Sequence, residues 1–206
     1  LVDSVRGATN YSVPNDWDAE VDDSTFVASL DSDGFTVGDD VVVNTNTENY
    51  ASWNWEAGGA PTADNSAGAG ATPTAGSVKI DGSNLGSALA GTIAATRLSA
   101  NTTSGFSIVS YTGNETTAQT VAHGLGSAPE LVIIKARNNT TEWAVGSDAI
   151  TSWSYYLYLN DSRAETSTST VFGNAPSASV FKINDAIASN GAYNFIAYCF
   201  HSVEGY

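Results

Sequence analysis

Apolar and polar positions alternate most regularly in the second half of the chain. From Gly105 to Gly113, Phe106, Ile108 and Ser110 alternate with Ser107, Val109 and Tyr111, the period-two signature of a strand with two distinct faces. Thr117–His123 leads into a turn from Gly124 to Pro129, and Glu130–Arg137 then forms a nearly continuous apolar run, as a strand covered on both faces requires. Further strands are predicted at Glu142–Val145, Ser154–Leu159, Val180–Ile183 and Tyr193–His201. Many short β-branched and aromatic runs between turn residues predict an all-β fold, built as antiparallel β-sandwich (jelly-roll-like) units. Helical spacing occurs only at Leu85–Ala90 and Thr92–Leu98, where Gly86 and Gly91 work against it.

The pattern occurs twice, about 145 residues apart. Phe26 and Phe35 match Phe172 and Phe181, Val37 matches Ile183, and Asp39 matches Asp185. Tyr50, Trp53 and Trp55 match Phe195, Tyr198 and Phe200, and Ala19-Glu20 falls on Ala164-Glu165. Apolar rows are kept while loop residues change, which predicts a shared core; a period this long predicts tandem domains and not a solenoid. The strands from Gly105 to Trp143 have no counterpart ahead of the first copy, and the chain contains no Met. The expectation is therefore a segment of a longer protein. Residues 1–56 would be the C-terminal part of a first β unit, 57–104 a Gly/Ala/Ser/Thr-rich connector, and 105–206 a complete second unit. Residues preceding Leu1, or strands from a neighbour, would complete the first unit. Within the connector, Val78, Ile80, Leu85, Leu89, Ile93 and Leu98 are too sparse for a core of their own. It is expected either as an exposed flexible segment or as a stretch that winds with identical chains around a shared interior.

Charge limits the partners. The chain has 206 residues, 42% hydrophobic, with 22 acidic against 7 basic residues and a net charge of −15. Such a body is repelled by phosphate backbones and anionic lipid, which argues against nucleic acid and membrane as partners. No apolar run approaches the ~20 residues of a spanning helix. Cys199 stands alone inside an apolar run and reads as a buried free thiol, so the fold does not rest on disulfides.

The strings GFSIVSYTGN from Gly105, TVAHGLGSAPELVIIKAR from Thr120 and FIAYCFHSVEGY from Phe195 resemble a domain repeated in tail fibres and related appendage proteins of marine bacteriophages, cyanophages especially. DSDGFTVG from Asp31, YASWNWEAGG from Tyr50 and the connector resemble the same proteins. The resemblance covers nearly the whole chain, and its motifs are strands and turns with no catalytic signature. It implies a structural virion appendage at the virion surface, assembled in the host cytoplasm. Such a protein is commonly multimeric, with a trimer favoured, joins other virion proteins, and attaches to a bacterial surface glycan or protein.

Candidate chemistry is sparse. His123 precedes the Gly124–Pro129 turn and is expected to bond loop backbone groups; His201 flanks the last strand. Asp16, Asp18, Glu20, Asp22 and Asp23, followed by Asp31, Asp33, Asp39 and Asp40, present many oxygens. However, the counterparts of Asp31 and Asp33 are Ser177 and Ser179, so a solvated acidic face is the expectation over a calcium site. Glu130 and Glu142 are the one thinkable carboxylate pair for glycoside hydrolysis, and no nucleophile elbow, zinc spacing or phosphate loop occurs. No catalytic residue, metal or cofactor is therefore expected. The better lead is aromatic. Trp153, Tyr155, Tyr156 and Tyr158 are the candidate glycan or receptor contacts, with Tyr156 and Tyr158 on one strand face and Trp153, Tyr155 and Leu157 on the other. One row would pack inward and the other stack on sugars. The expected function is extension and multivalent host-surface attachment. The alternatives are a purely architectural decoration or filament subunit, or a polysaccharide depolymerase.

Overall fold

Strands form where the alternation places them. The computed structural model describes residues 1–205; Tyr206, assigned to the second unit from the sequence, lies outside the described residues. The first part of the chain contains β1 (Val2–Asp3), β2 (Gly7–Tyr11), β3 (Val21–Asp22), β4 (Val27–Leu30), β5 (Phe35–Val37) and the one-turn α1 (Val41–Asn44), capped by the Asp40 carboxylate. There follow β6 (Val78–Ile80), β7 (Ser83–Asn84), β8 (Arg97–Asn101), β9 (Phe106–Thr112), β10 (Gln119–Ala122), β11 (Leu131–Ala136) and β12 (Ala144–Ser147). Last come β13 (Tyr155–Tyr158), β14 (Thr166–Ser167), β15 (Val180–Ile183), the short helix α2 (Ile187–Asn190) and β16 (Asn194–Phe200).

The all-β, antiparallel character expected from the sequence is what the fold has, with layers of unequal size. One nine-stranded sheet runs β14-β13-β12-β11-β16-β9-β8-β6-β7, and every neighbouring pair is antiparallel except β6 with β8. β16 is its centre, paired along its whole length with β9 and along six residues with β11. The inner face carries Val109, Tyr111, Val132, Ile134, Ala197 and Phe195, covered by the β10–β15 ribbon, Phe172, Leu89 and Ile93. The outer face carries Phe106, Ile108, Ile133, Ile196 and Tyr198, and there residues 1–22, with the small sheet β1-β2-β3, lie across it. The nearly continuous apolar runs in β11 and β16 thus reflect a sheet covered on both sides.

Residues 57–104 depart from the expected connector. Val78, Leu89, Ile93 and Leu98 are buried in the main core of the same chain, with Ile80 and Leu85 packed against it. β8 pairs with β9, and β6 crosses back to pair in parallel with β8. The preceding loop is tied down as well. Asn65 N–H donates to Thr96 O at 2.8 Å, and Ser99 Oγ donates to Gly59 O at 2.7 Å. Gly58 lies so close to Ala100 that a Cβ would sit 1.9 Å from its carbonyl oxygen. These aliphatics are too few for a core of their own, but they complete one whose remainder lies in residues 105–205. They therefore need no second chain around which to wind.

The two copies also differ more than their sequences predict. Tyr50, Trp53 and Trp55, matched to buried or half-buried residues of β16, are 51%, 77% and 53% exposed. The shared core expected from the repeat is formed in the second copy only. β5 pairs with β4, whereas its counterpart β15 pairs with β10.

Candidate functional site: the junction between the copies

The outer sheet face carries an apolar patch of Phe106, Ile108, Ile133 and Ile196 beside polar side chains such as Arg97, Ser110 and Lys135, and it is there that the first copy is fastened. β1 and the turn after it place Asp3 and Arg6 over the centre of β16, both with buried side chains. Asp3 Oδ1 accepts from the backbone N–H of Val5 and of Arg6, each at 2.9 Å, which shapes the turn. The Arg6 guanidinium then bonds Asp3 Oδ2 at 2.5 Å through Nε, Ser12 Oγ and Glu20 Oε2 through Nη1, and Tyr198 Oη at 2.9 Å through Nη2. Tyr198 O–H donates to Asp3 Oδ2 at 2.7 Å and closes the ring. Glu20 is gripped from the other side by Arg137, with Nε at 2.9 Å and Nη2 at 2.7 Å. Burial alone would lower the Arg6 pKa, but Tyr198, Asp3 and Glu20 around it hold it above its ordinary value. Burial pushes the Tyr198 phenol well up, so both groups keep their protons through the physiological range.

Three further clasps surround this centre. Lys135, fully buried on the outer face of β11, donates from Nζ to Trp17 O at 3.1 Å, Ala136 O at 2.9 Å and Asn139 O at 3.2 Å. Burial brings its pKa down to about 8, against the opposing pull of Asp18, Glu142 and Asp16. Trp143 Nε1–H is shared between Val13 O at 3.1 Å and Asp16 O at 3.0 Å. Arg97 donates to Val5 O at 3.2 Å and pairs with Asp64 at 2.5 Å. Four of the seven basic residues therefore lie at this junction. Buried ion clusters gain little net stability over apolar packing, but leaving one of these charges without its partner costs about 3–5 kcal/mol.

Beside the clasp a groove of about 1000 Å³ opens, floored by Phe106, Ile133 and Phe200 and walled by Phe26, Trp53 and Trp55. Trp55 stands edge-on to Phe200 at 5.9 Å between ring centroids. The lining is overwhelmingly apolar.

The sequence-predicted contacts do not form an exposed platform. Trp153 is buried edge-on against Phe172 at 5.7 Å, and its Nε1–H donates to Asp148 at 2.5 Å. Tyr156 is buried beside it. Trp153 sits in a turn before β13 begins, so strand alternation does not reach it, and it joins Tyr156 on the inner face instead of Tyr155. Tyr156 and Tyr158 are brought together by a 2.9 Å hydroxyl contact, with the Arg163 guanidinium 4.5 Å above the Tyr158 ring; Tyr155 is half-buried. Sequence reasoning missed Asp3, Arg6, Lys135 and Trp17. The available signal was the placing of a lysine inside the apolar run Leu131–Ala136.

The remaining candidates have local roles. His123 is buried; its Nδ1 accepts from Leu125 N–H at 3.2 Å and its Nε2 contacts Ser177 O at 3.0 Å, so it clips the turn to the loop before β15. Burial brings its pKa down to about 4. Burial pushes the Cys199 thiol up to about 12, which removes its nucleophilicity at neutral pH. Glu130 accepts from Ser202, while Glu142 bonds Asn160 and Arg163. Among the described residues no group of three or more His, Cys, Asp or Glu side chains is placed to hold a metal ion, and no helix is long and apolar enough to cross a membrane.

A family model described as a domain of unknown function (DUF7483) matches the chain over residues 1–81 and again over 79–206. No curated protein and no solved structure matches it.

Proposed function

The chain belongs to the DUF7483 family, with two consecutive matches, and from that premise we propose that it is a structural virion appendage segment of tail-fibre type, extending from the virion surface and attaching to a bacterial surface. The observation that carries this reading is the buried Asp3–Arg6–Tyr198–Glu20–Arg137 cluster between the copies. Flexibly linked beads orient at random, whereas copies clasped through buried charges keep one orientation. An appendage that must project needs that stiffness. The acidic surface keeps such projections apart and soluble.

Attachment would then use rings left exposed on the stiff body. Trp17 is 58% exposed, its carbonyl is held by Lys135, and Asp16 and Asp18 flank it. A flat ring with neighbouring carboxylates suits the apolar face and hydroxyls of a sugar. A weak single contact suffices, because multivalent display raises binding by about 10²–10⁴. The partners are a bacterial surface glycan or protein, other virion proteins and copies of itself. The test is retention of intact bacterial cells by beads bearing many copies of the chain. Retention that is lost in Trp17→Ala supports the proposal; no retention by the parent chain on any host tested leaves the purely architectural role. That second reading draws its support from the burial of Trp153 and Tyr156.

A further inference from the structure

At one end of the junction, past Lys135, the outer sheet face opens into a small polar cleft. Arg97 of β8 and Arg137, just beyond β11, stand three strands apart in the sheet, with Thr112 of β9 and Asn194 of β16 paired between them. Thr112 and Asn194 share the outer face with Ser110 and Ile196, two residues away on each strand. The cleft has a volume of about 320 Å³, the low end of the range for small-molecule sites, and its lining is mostly polar. Its donors are only partly used. Arg97 bonds Asp64 through Nε and Val5 O through Nη1, and Arg137 bonds Glu20 through Nε and Nη2. Arg97 Nη2, Arg137 Nη1 and Asn194 Nδ2 have no hydrogen-bond partner among the described residues, nor has Asp64 Oδ2. The two arginine side chains are 33% and 28% exposed, so a ligand can reach them.

We infer that this cleft binds a hydroxylated monocarboxylate of the hexuronic acid class. The carboxylate lies between Arg97 Nη2 and Arg137 Nη1, because guanidinium donors match a planar carboxylate. Asn194 Nδ2 donates to a ligand hydroxyl oxygen, and Asp64 Oδ2 accepts from a ligand O–H. The carboxylates already present select against phosphate. Glu20 and Asp64 bond the same two guanidiniums, so a dianion meets about twice the repulsion that a monoanion does. The acidic surface elsewhere does not exclude such a ligand, since screening limits its reach to about 8 Å at physiological salt. A glycan ending in a uronic acid and a free sugar acid offer the same chemistry. The glycan as source rests on the attachment reading above; the site itself does not.

The test is titration of the 15N-labelled full chain with sodium glucuronate, read at the amides of Thr96, Arg97, Thr112 and Asn194. Acetate, glucose, inorganic phosphate and sodium chloride at matched ionic strength are the comparisons. Saturable shifts are expected with glucuronate, and binding about tenfold or more weaker with acetate, glucose and phosphate. Arg97→Gln and Asn194→Asp are each expected to weaken glucuronate binding about tenfold or more; the second keeps the oxygen that accepts from Thr112. Absence of shifts, equal shifts with acetate or chloride, tighter binding of phosphate, or undiminished binding in either variant overturns the inference. An oligosaccharide with a terminal glucuronate that shifts the same amides supports the site with a glycan as its source, and shifts with the free acid alone support it with a free sugar acid. Cells retained on beads without glucuronate shifts overturn this inference and leave attachment standing, whereas shifts without retention do the reverse.

Discussion

Arg6 and Tyr198 meet at 2.9 Å across 192 residues of sequence, and this one hydrogen bond joins the first turn of the chain to the central strand of its main sheet. Both side chains are buried, and both also bond Asp3. The position of the first copy on the second is thus decided by buried groups that bond one another.

Replacing Arg6 with Ala leaves the Asp3 carboxylate buried without its cation, and unfolding stability is expected to fall by about 3–5 kcal/mol. Tyr198→Phe keeps the ring and the ion pair and removes two hydrogen bonds, so about 1–3 kcal/mol is expected. Urea denaturation of both variants and of the double variant checks this, and the double variant should lose less than the sum of the two.

His123 makes stability depend on pH. Burial brings its folded pKa to about 4, below the ordinary value of 6.5, so between those values the unfolded chain takes a proton that the folded chain refuses. This contribution to stability is therefore present above about pH 6.5 and is lost progressively as pH falls toward 4, by an amount on the order of 3 kcal/mol. The carboxylates titrate nearby, so the measurement is the difference in slope between the parent and His123→Gln, which should lack this component.

Two glycines separate a folded connector from a loose one. Gly58→Ala drives a Cβ into the Ala100 carbonyl and is expected to cost about 2–4 kcal/mol. Gly68→Ala meets nothing within 4 Å and should leave stability within about 1 kcal/mol of the parent. Thermal unfolding of the pair decides it; equal melting would contradict the packing of residues 57–104.

Trp153→Ala opens a cavity beside Phe172 and is expected to destabilise by about 3–5 kcal/mol. Trp17→Ala, at an exposed site, should change stability by less than about 0.5 kcal/mol. The stability of each variant is checked by denaturation, and its retention of bacterial cells by the bead assay.

By itself the sequence determined most of the strands from Gly105 onward, the turn at Gly124–Pro129 and that one pattern occurs twice, whereas β6, β7 and β8 lie in the stretch it marked as a connector. Those properties are local: alternation in Phe106–Tyr111, the apolar run in Leu131–Ala136 and the Gly124–Pro129 turn depend on neighbouring residues alone. Only the tertiary structure decided which of those segments find partners. Leu89, Ile93 and Leu98 looked too sparse for a core of their own because the core that receives them lies beyond them in sequence. Trp153 looked available for stacking because alternation was extended past the start of β13. Trp53 and Tyr198 occupy the same position of the same repeat, yet one is 77% exposed and the other 4%. A central strand is central only when strands lie on both of its sides, and that condition is met by residues remote from it in the chain.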